Sequence, residues 1–232
     1  MTKPTQCELN LYGDKIVDTT GLHGADIASQ RMDELDLEAL RFAVASSEAL
    51  EKVAIDLGCG LGFQGIRLAI LEWRSFLYDM LDIHDRIALV REVVGVQDLV
   101  FRKLDLRHAS DDDFPSTIGL VFSQRFIHYL RFEEASQLLA IVASKLHPLG
   151  RLFLSASGME SELGLSYAAS EDPVEVRFDI LAPEMQEKHA IYEPVCLYRE
   201  EELQNLVLPH GFRAVRIWSS PFGNVKGIFE KV

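Results

Sequence analysis

Val53-Ala54-Ile55-Asp56-Leu57-Gly58-Cys59-Gly60-Leu61-Gly62 is the stretch on which the fold turns. Five residues with mostly apolar side chains run straight into alternating glycines. A short apolar run bounded by such a turn predicts a buried strand. The glycines let the backbone approach a ligand where a Cβ would collide. A helix predicted to start just beyond them presents N–H groups to a carboxylate or phosphate.

Downstream, the hydrophobic period alternates. Helix is predicted over 63–73, strand over 75–81, helix over 84–94 and strand over 99–104. The acidic, proline-containing segment 107–117 reads as loop or poor helix. Strand 118–123, an amphipathic helix over 132–146 and strand 151–156 follow. Upstream, apolar residues from Leu37 to Leu50 fit a helix over 35–50. Five strands separated by helices imply a parallel, doubly wound α/β sheet. Residues 158–197 show no sustained period and read as a functional insertion. Helix returns over 199–209, and strands near 213–219 and 225–230 flank Ser219-Ser220-Pro221-Phe222-Gly223-Asn224, which predicts a closing hairpin.

The 232 residues suit one large domain, 1–232, with 1–34 as a polar arm or lid and 158–197 covering a substrate pocket. The net charge of -13 makes a nucleic-acid partner a poor fit. Three unrelated cysteines suggest neither a disulfide framework nor a metal site. With no signal-like N-terminus and no long apolar run, a cytoplasmic protein without a membrane partner is expected.

A literal G-x-G-x-x-G spans Gly60 to Gly65 and would suggest a nicotinamide oxidoreductase. Its register disagrees, because in that fingerprint the first glycine directly follows the strand, and here Gly58 holds that place. The whole motif from Val53 to Gly62 instead resembles motif I of the class I S-adenosylmethionine-dependent methyltransferases. The resemblance extends over nearly the whole chain in its order of elements and in the terminal hairpin. It implies a Rossmann-like, seven-stranded, mostly parallel sheet with the last strand antiparallel. S-adenosylmethionine would lie across the C-terminal strand ends and leave as S-adenosylhomocysteine. Oligomeric state, pathway and acceptor are not implied.

The cofactor residues then follow position by position. Asp56, Gly58, Cys59, Gly60 and Gly62 form the turn, where Asp56 more often orders the glycines than touches ligand. The ribose needs a carboxylate at the end of the second strand, where Asp79-Met80-Leu81-Asp82 offers two. Asp79 lies 21 residues after Gly58 and is favoured, while Asp82 suits a helix cap. Asp105 and Leu106 resemble the adenine contacts, with a cap as Asp105's competing role. Ser123 and Gln124 match backbone contacts to the methionine part, and Arg31 is a candidate for its carboxylate.

Class I enzymes share no obligatory catalytic residue, because the methyl carbon arrives activated. Where a base is needed, His128 is the best candidate, against a packing role. Tyr12, His128, Tyr129 and Tyr192 are the candidate acceptor pocket, with Arg125, His23, His189 and Glu193 as further possibilities. The expected activity is methylation of an oxygen or nitrogen on a small molecule, which the acidic balance favours as neutral or cationic. Methylation of a protein or tRNA and a silent S-adenosylmethionine-binding module are the alternatives, alongside the oxidoreductase.

Overall fold

The structure is a computed structural model that describes residues 32–232. Its elements are α1 (Glu34–Ala45), β1 (Val53–Leu57), α2 (Phe63–Ile70), β2 (Arg74–Asp79), α3 (His84–Val94), β3 (Leu99–Lys103), β4 (Ile118–Gln124), α4 (Phe132–Lys145), β5 (Leu146–Ala156), α5 (Pro183–His189), α6 (Glu200–Val207), β6 (Phe212–Ser219) and β7 (Val225–Lys231). Seven strands form one sheet in the order β3-β2-β1-β4-β5-β7-β6. The contacts β1–β2, β1–β4, β2–β3 and β4–β5 are parallel, whereas β7 runs antiparallel to both β5 and β6. This is the doubly wound sheet and closing hairpin that the sequence predicts.

β1 is buried along its whole length because helices cover both faces of the sheet. Val53, Ile55 and Leu57 join one core with Leu138, Leu139 and Val142 of α4 and Leu203, Leu206 and Val207 of α6. Ala54 faces the other way, into a core shared with Leu35, Ala39 and Ala43 of α1 and the buried Trp73. The two-residue period of the strand thus sorts neighbours onto opposite layers. Smaller apolar contacts seat α3 over β2 and β3 through Ile87, Leu77 and Phe101.

The segment between β5 and β6 is mostly turns, with the short helix α5 within it, and it has a core of its own. Met159, Leu163, Tyr167, Leu181, Met185, Ile191 and Val195 make a separate apolar cluster there. Tyr167 anchors it, donating through Oη to the Val195 carbonyl at 2.6 Å and accepting from the Asp179 N–H at 3.1 Å. The return path rejoins the sheet where Cys196 N–H donates to the His128 carbonyl at 2.8 Å and Tyr198 N–H to the Ser157 carbonyl at 3.1 Å. Turns, isolated bridges, a 3-10 turn at Leu163 and the short α5 at Met185 carry these apolar residues, so no regular period marks them. β5 also begins five residues earlier than the predicted 151, through Leu146-His147-Pro148-Leu149-Gly150.

Candidate functional site

Strand order reverses at β1 and β4, and ligands of open α/β sheets bind beyond the carboxyl ends of strands at such a point. The glycine turn lies there. Gly58, Gly60 and Gly62 have φ of +65°, +52° and +78°, all left-handed. The N–H groups of Gly58 and Cys59 both donate to the Tyr78 carbonyl, at 2.9 and 3.1 Å, which ties the turn to the end of β2. One residue later, the Asp79 carboxylate accepts from Gly60 N–H at 2.7 Å and from Leu81 N–H at 2.8 Å. Asp56 is buried and accepts from Gly65 N–H at 3.1 Å, bracing the first turn of α2. Gly62 caps that helix in the left-handed conformation without a side-chain acceptor.

The two acids of β2 therefore part company. Asp79 sits at the strand end against the glycines. Asp82 is exposed, accepts from His84 N–H at 3.1 Å and lies 3.8 Å from Lys103 Nζ. Ile83 rather than Asp82 occupies the cap position of α3. Met80 between them is exposed, and Cys59 is buried within the turn.

At the end of β3, Asp105 caps a short 3-10 turn beginning at Leu106. Arg107 grips its carboxylate through Nε at 2.9 Å and Nη2 at 2.7 Å, and these charged hydrogen bonds hold the carboxyl below its ordinary range. Leu106 is buried in the main core. At the end of β4, Ser123 donates to the Leu57 carbonyl at 3.1 Å, closing the gap between β4 and β1.

Gln124 enters a polar hub absent from the sequence reading. Its Nε2 donates to Asp33 Oδ2 at 2.8 Å and Asp36 Oδ2 at 3.1 Å, at the start of α1. Lys226 of β7, buried, pairs with Asp33 at 2.6 Å. Arg67 of α2 lies 3.3 Å from Asp36. The hub joins α1, α2, β4 and β7 beside the turn. Only the Asp33-x-x-Asp36 capping box was detectable locally, since its partners lie far away in sequence.

Burial pushes Asp36 up to about 7; the Asp33 N–H and Arg67 favour its ionisation, while the Asp33 carboxylate opposes it. Burial opposes ionisation of Asp33 as well, yet the Lys226 ammonium brings it below its ordinary value. The folded protein thus keeps a proton on Asp36 that the unfolded chain releases above 3.8. Its contribution to stability falls as pH rises from there through about 7. His128, His189 and His210, all lowered chiefly by burial, push the other way over part of this range. The expected result is therefore differential: between pH 5 and 8, urea unfolding shows wild type losing more stability than Asp36→Asn. Parallel pH profiles would refute the assignment.

After β4 the chain turns through Arg125, at φ +51°, whose N–H donates to the Ser155 carbonyl at 3.1 Å and Oγ at 3.0 Å. Phe126 packs its ring against Gly58, where an added Cβ would stand 2.2 Å from the ring. His128 is buried beside Ser157, whose N–H and Oγ lie 3.5 and 3.4 Å from its ring nitrogens. Burial, then the charge of Arg125, pushes it down to about 3. Its ring stacks obliquely on Tyr129 at 4.1 Å, and Tyr129 packs against the insertion's apolar cluster. His189 ends α5 and lies 3.2 Å from Glu162, while Tyr192 is exposed.

Tyr12, His23 and Arg31 lie outside the described residues. Among the described residues, no three His, Cys, Asp or Glu side chains group as metal ligands, and no helix is long and apolar enough to cross a membrane.

No family model and no curated protein sequence matches the chain. Solved structures do. The Burkholderia thailandensis 1,6-didemethyltoxoflavin-N1-methyltransferase with bound 1,6-didemethyltoxoflavin and S-adenosylhomocysteine is 16% identical, with a TM-score of 0.62 over 89% of this chain and 80% of that one. The Synechocystis magnesium protoporphyrin IX methyltransferase with bound S-adenosylhomocysteine is 19% identical, with a TM-score of 0.61 over 95% of this chain and 91% of that one. The mitomycin 7-O-methyltransferase MmcR is 14% identical, with a TM-score of 0.58 over 85% of this chain but 54% of its own. At such identities the likeness is one of fold. The chain has the Rossmann-like methyltransferase fold.

Proposed function

We propose that this chain is an S-adenosylmethionine-dependent methyltransferase acting on an oxygen or nitrogen of a small-molecule acceptor. One observation carries the reading: the left-handed glycines of the β1–α2 turn are docked onto Asp79 at the end of β2. That arrangement fits the donor. A carboxylate there can accept from two ribose hydroxyls, and the three glycines of the turn let its backbone approach a ligand closely. The neighbours of known structure that hold S-adenosylhomocysteine support the same reading.

When bound, S-adenosylmethionine supplies a methyl carbon already activated by its sulfonium, so the protein's task is alignment and exclusion of water. In this reading Asp79 orients the ribose, and the Gly58–Gly62 backbone with the start of α2 holds the methionine end. Asp105 keeps an acceptor lone pair for the adenine amino group although Arg107 grips its carboxylate, and Leu106 N–H serves the ring. Ser123 and Gln124 contribute backbone. Asp82, exposed and tied to His84, takes no part. His128, neutral and enclosed by Ser157 and Tyr129, serves as packing for the β4 exit and not as a base. Residues 158–197 cover the acceptor side, with Tyr129 at the contact; the arm expected over 1–34 lies almost wholly outside the described residues.

A thermal-shift titration with S-adenosylmethionine, S-adenosylhomocysteine, NADH and NADPH tests this, since a ligand of the native state raises its stability. Only the two sulfur compounds are expected to stabilise the protein. In Asp79→Ala their affinity should fall about 10- to 100-fold, the scale of losing hydrogen bonds to a charged group. No shift with either, or a shift with a nicotinamide alone, would overturn the proposal. Stabilisation without methyl transfer across a broad acceptor panel would point to the silent module instead.

A further inference from the structure

Arg125 stands out among the cations at the carboxyl ends of the strands. It is partly buried, and its guanidinium makes no ion pair, hydrogen bond or ring contact with the described residues. Other partly or fully buried arginines have partners: Arg67 donates to Asp36 and Gln64, and Arg177 grips Glu202. Glu162, the carboxylate facing His189, is engaged by Lys188. A partly buried charge with no counter-ion among the described residues gains from a ligand that completes it.

The backbone is built to present it. Arg125 holds the left-handed conformation at φ +51°, which costs a non-glycine residue about 1–2 kcal/mol. Two hydrogen bonds from its N–H to Ser155 lock that geometry onto β5. Such strain, fixed by its surroundings, concentrates at ligand sites. The next residue, Phe126, lies against Gly58, so Arg125 is one residue removed from the glycine turn. Its neighbour Tyr129, four residues on, packs against the insertion's apolar cluster. The Arg125 charge adds to burial in lowering His128 after β4, and it also lowers His189 at the end of α5, where burial dominates and Glu162 opposes it. It therefore lies between the donor turn and the cover of the acceptor side.

We propose that Arg125 binds an anionic oxyacid group, a carboxylate or a phosphate, on the methyl acceptor. The inference rests on the methyltransferase reading for the word acceptor, while the anion site itself rests on Arg125. It reverses the preference for neutral or cationic acceptors that the net charge of -13 suggests. That field is screened within about 8 Å at physiological ionic strength, whereas a contact inside the site is not. A planar guanidinium also matches both oxygens of an oxyacid at once.

The test follows the Arg125 Nε–Hε resonance in nitrogen-15 spectra, with and without saturating S-adenosylhomocysteine. The signal is assigned by its loss in Arg125→Gln, whose folding is checked by its melting temperature. Benzoate, phenyl phosphate and benzamide are the probes. Benzoate or phenyl phosphate should move the resonance saturably, and the one that binds tighter identifies the oxyacid. Benzamide should leave it in place. Arg125→Lys should keep part of the anion affinity, and Arg125→Gln should change affinity for S-adenosylhomocysteine less than fivefold. An unmoved resonance with both anions, or an equal response to benzamide, would overturn the proposal. So would a loss of fivefold or more in S-adenosylhomocysteine affinity, which would assign the guanidinium to the donor. A wild type that ignores S-adenosylhomocysteine yet responds to the anions would keep the anion site and overturn the donor reading alone.

Discussion

Gly58→Ala is expected to abolish stabilisation by S-adenosylmethionine and S-adenosylhomocysteine and to lower the melting temperature of the free protein. Two costs coincide at this position. The φ of +65° charges any L side chain about 1–2 kcal/mol. The new Cβ would stand 2.2 Å from Phe126 Cγ and 2.4 Å from Phe126 Cβ, neither of them the far end of a flexible chain. Overpacking of this kind costs about 1–3 kcal/mol. At about 2–4 °C per kcal/mol for a protein of this size, the melting temperature falls by about 4–20 °C. Because the turn also bonds Tyr78 and Asp79, the displacement reaches the residues assigned to the donor. Gly58→Ala/Phe126→Ala separates the terms: it removes the clash, retains the backbone strain and adds a cavity. Full ligand stabilisation in Gly58→Ala would show that the turn does not hold the cofactor.

The second large effect lies away from the turn. Glu202→Gln is expected to destabilise the protein by about 3–5 kcal/mol, the penalty for stranding one member of a buried pair. Arg177, 2% exposed, donates to both Glu202 oxygens at 2.7 and 2.9 Å and to the Asp172 and Leu197 carbonyls. It thereby pins the insertion to α6, and the variant leaves its charge enclosed beside a neutral amide. Urea unfolding should show a lower midpoint with an unchanged slope. Arg41→Ala, which removes an exposed partner of Glu38, should change stability by no more than about 1 kcal/mol. Equal effects of the two substitutions would mean that the Arg177 pair is not enclosed.

Much of this molecule is legible locally. Strand β1, the glycine turn and α2 are declared by an apolar run, three glycines and a change of period within a few residues. The paired α4 and hairpin follow from patterns equally short in range. The interval from Gly58 and a capping role for Asp82 favoured Asp79 as the ribose candidate, and Asp79 lies at the turn while Asp82 is left in solvent without capping α3. Helix α5 went unread because seven residues make fewer than two turns, too few for a period to emerge.

The remainder depends on partners that no local pattern can supply. Gln124 meets Asp33 across 91 positions, and Lys226 meets the same carboxylate across 193. Whether a histidine after β4 is a base or filler is a matter of what encloses it, and Ser157, Tyr129 and the returning Cys196 enclose His128. Composition likewise describes the charge of the whole surface, while a guanidinium of Arg125 that pairs with none of the described residues is a property of one place. Turns and periods are short-range consequences of backbone sterics and side-chain spacing, so they can be read along the chain. Desolvation and charge pairing arise from residues brought together by folding, and they belong to the assembled core.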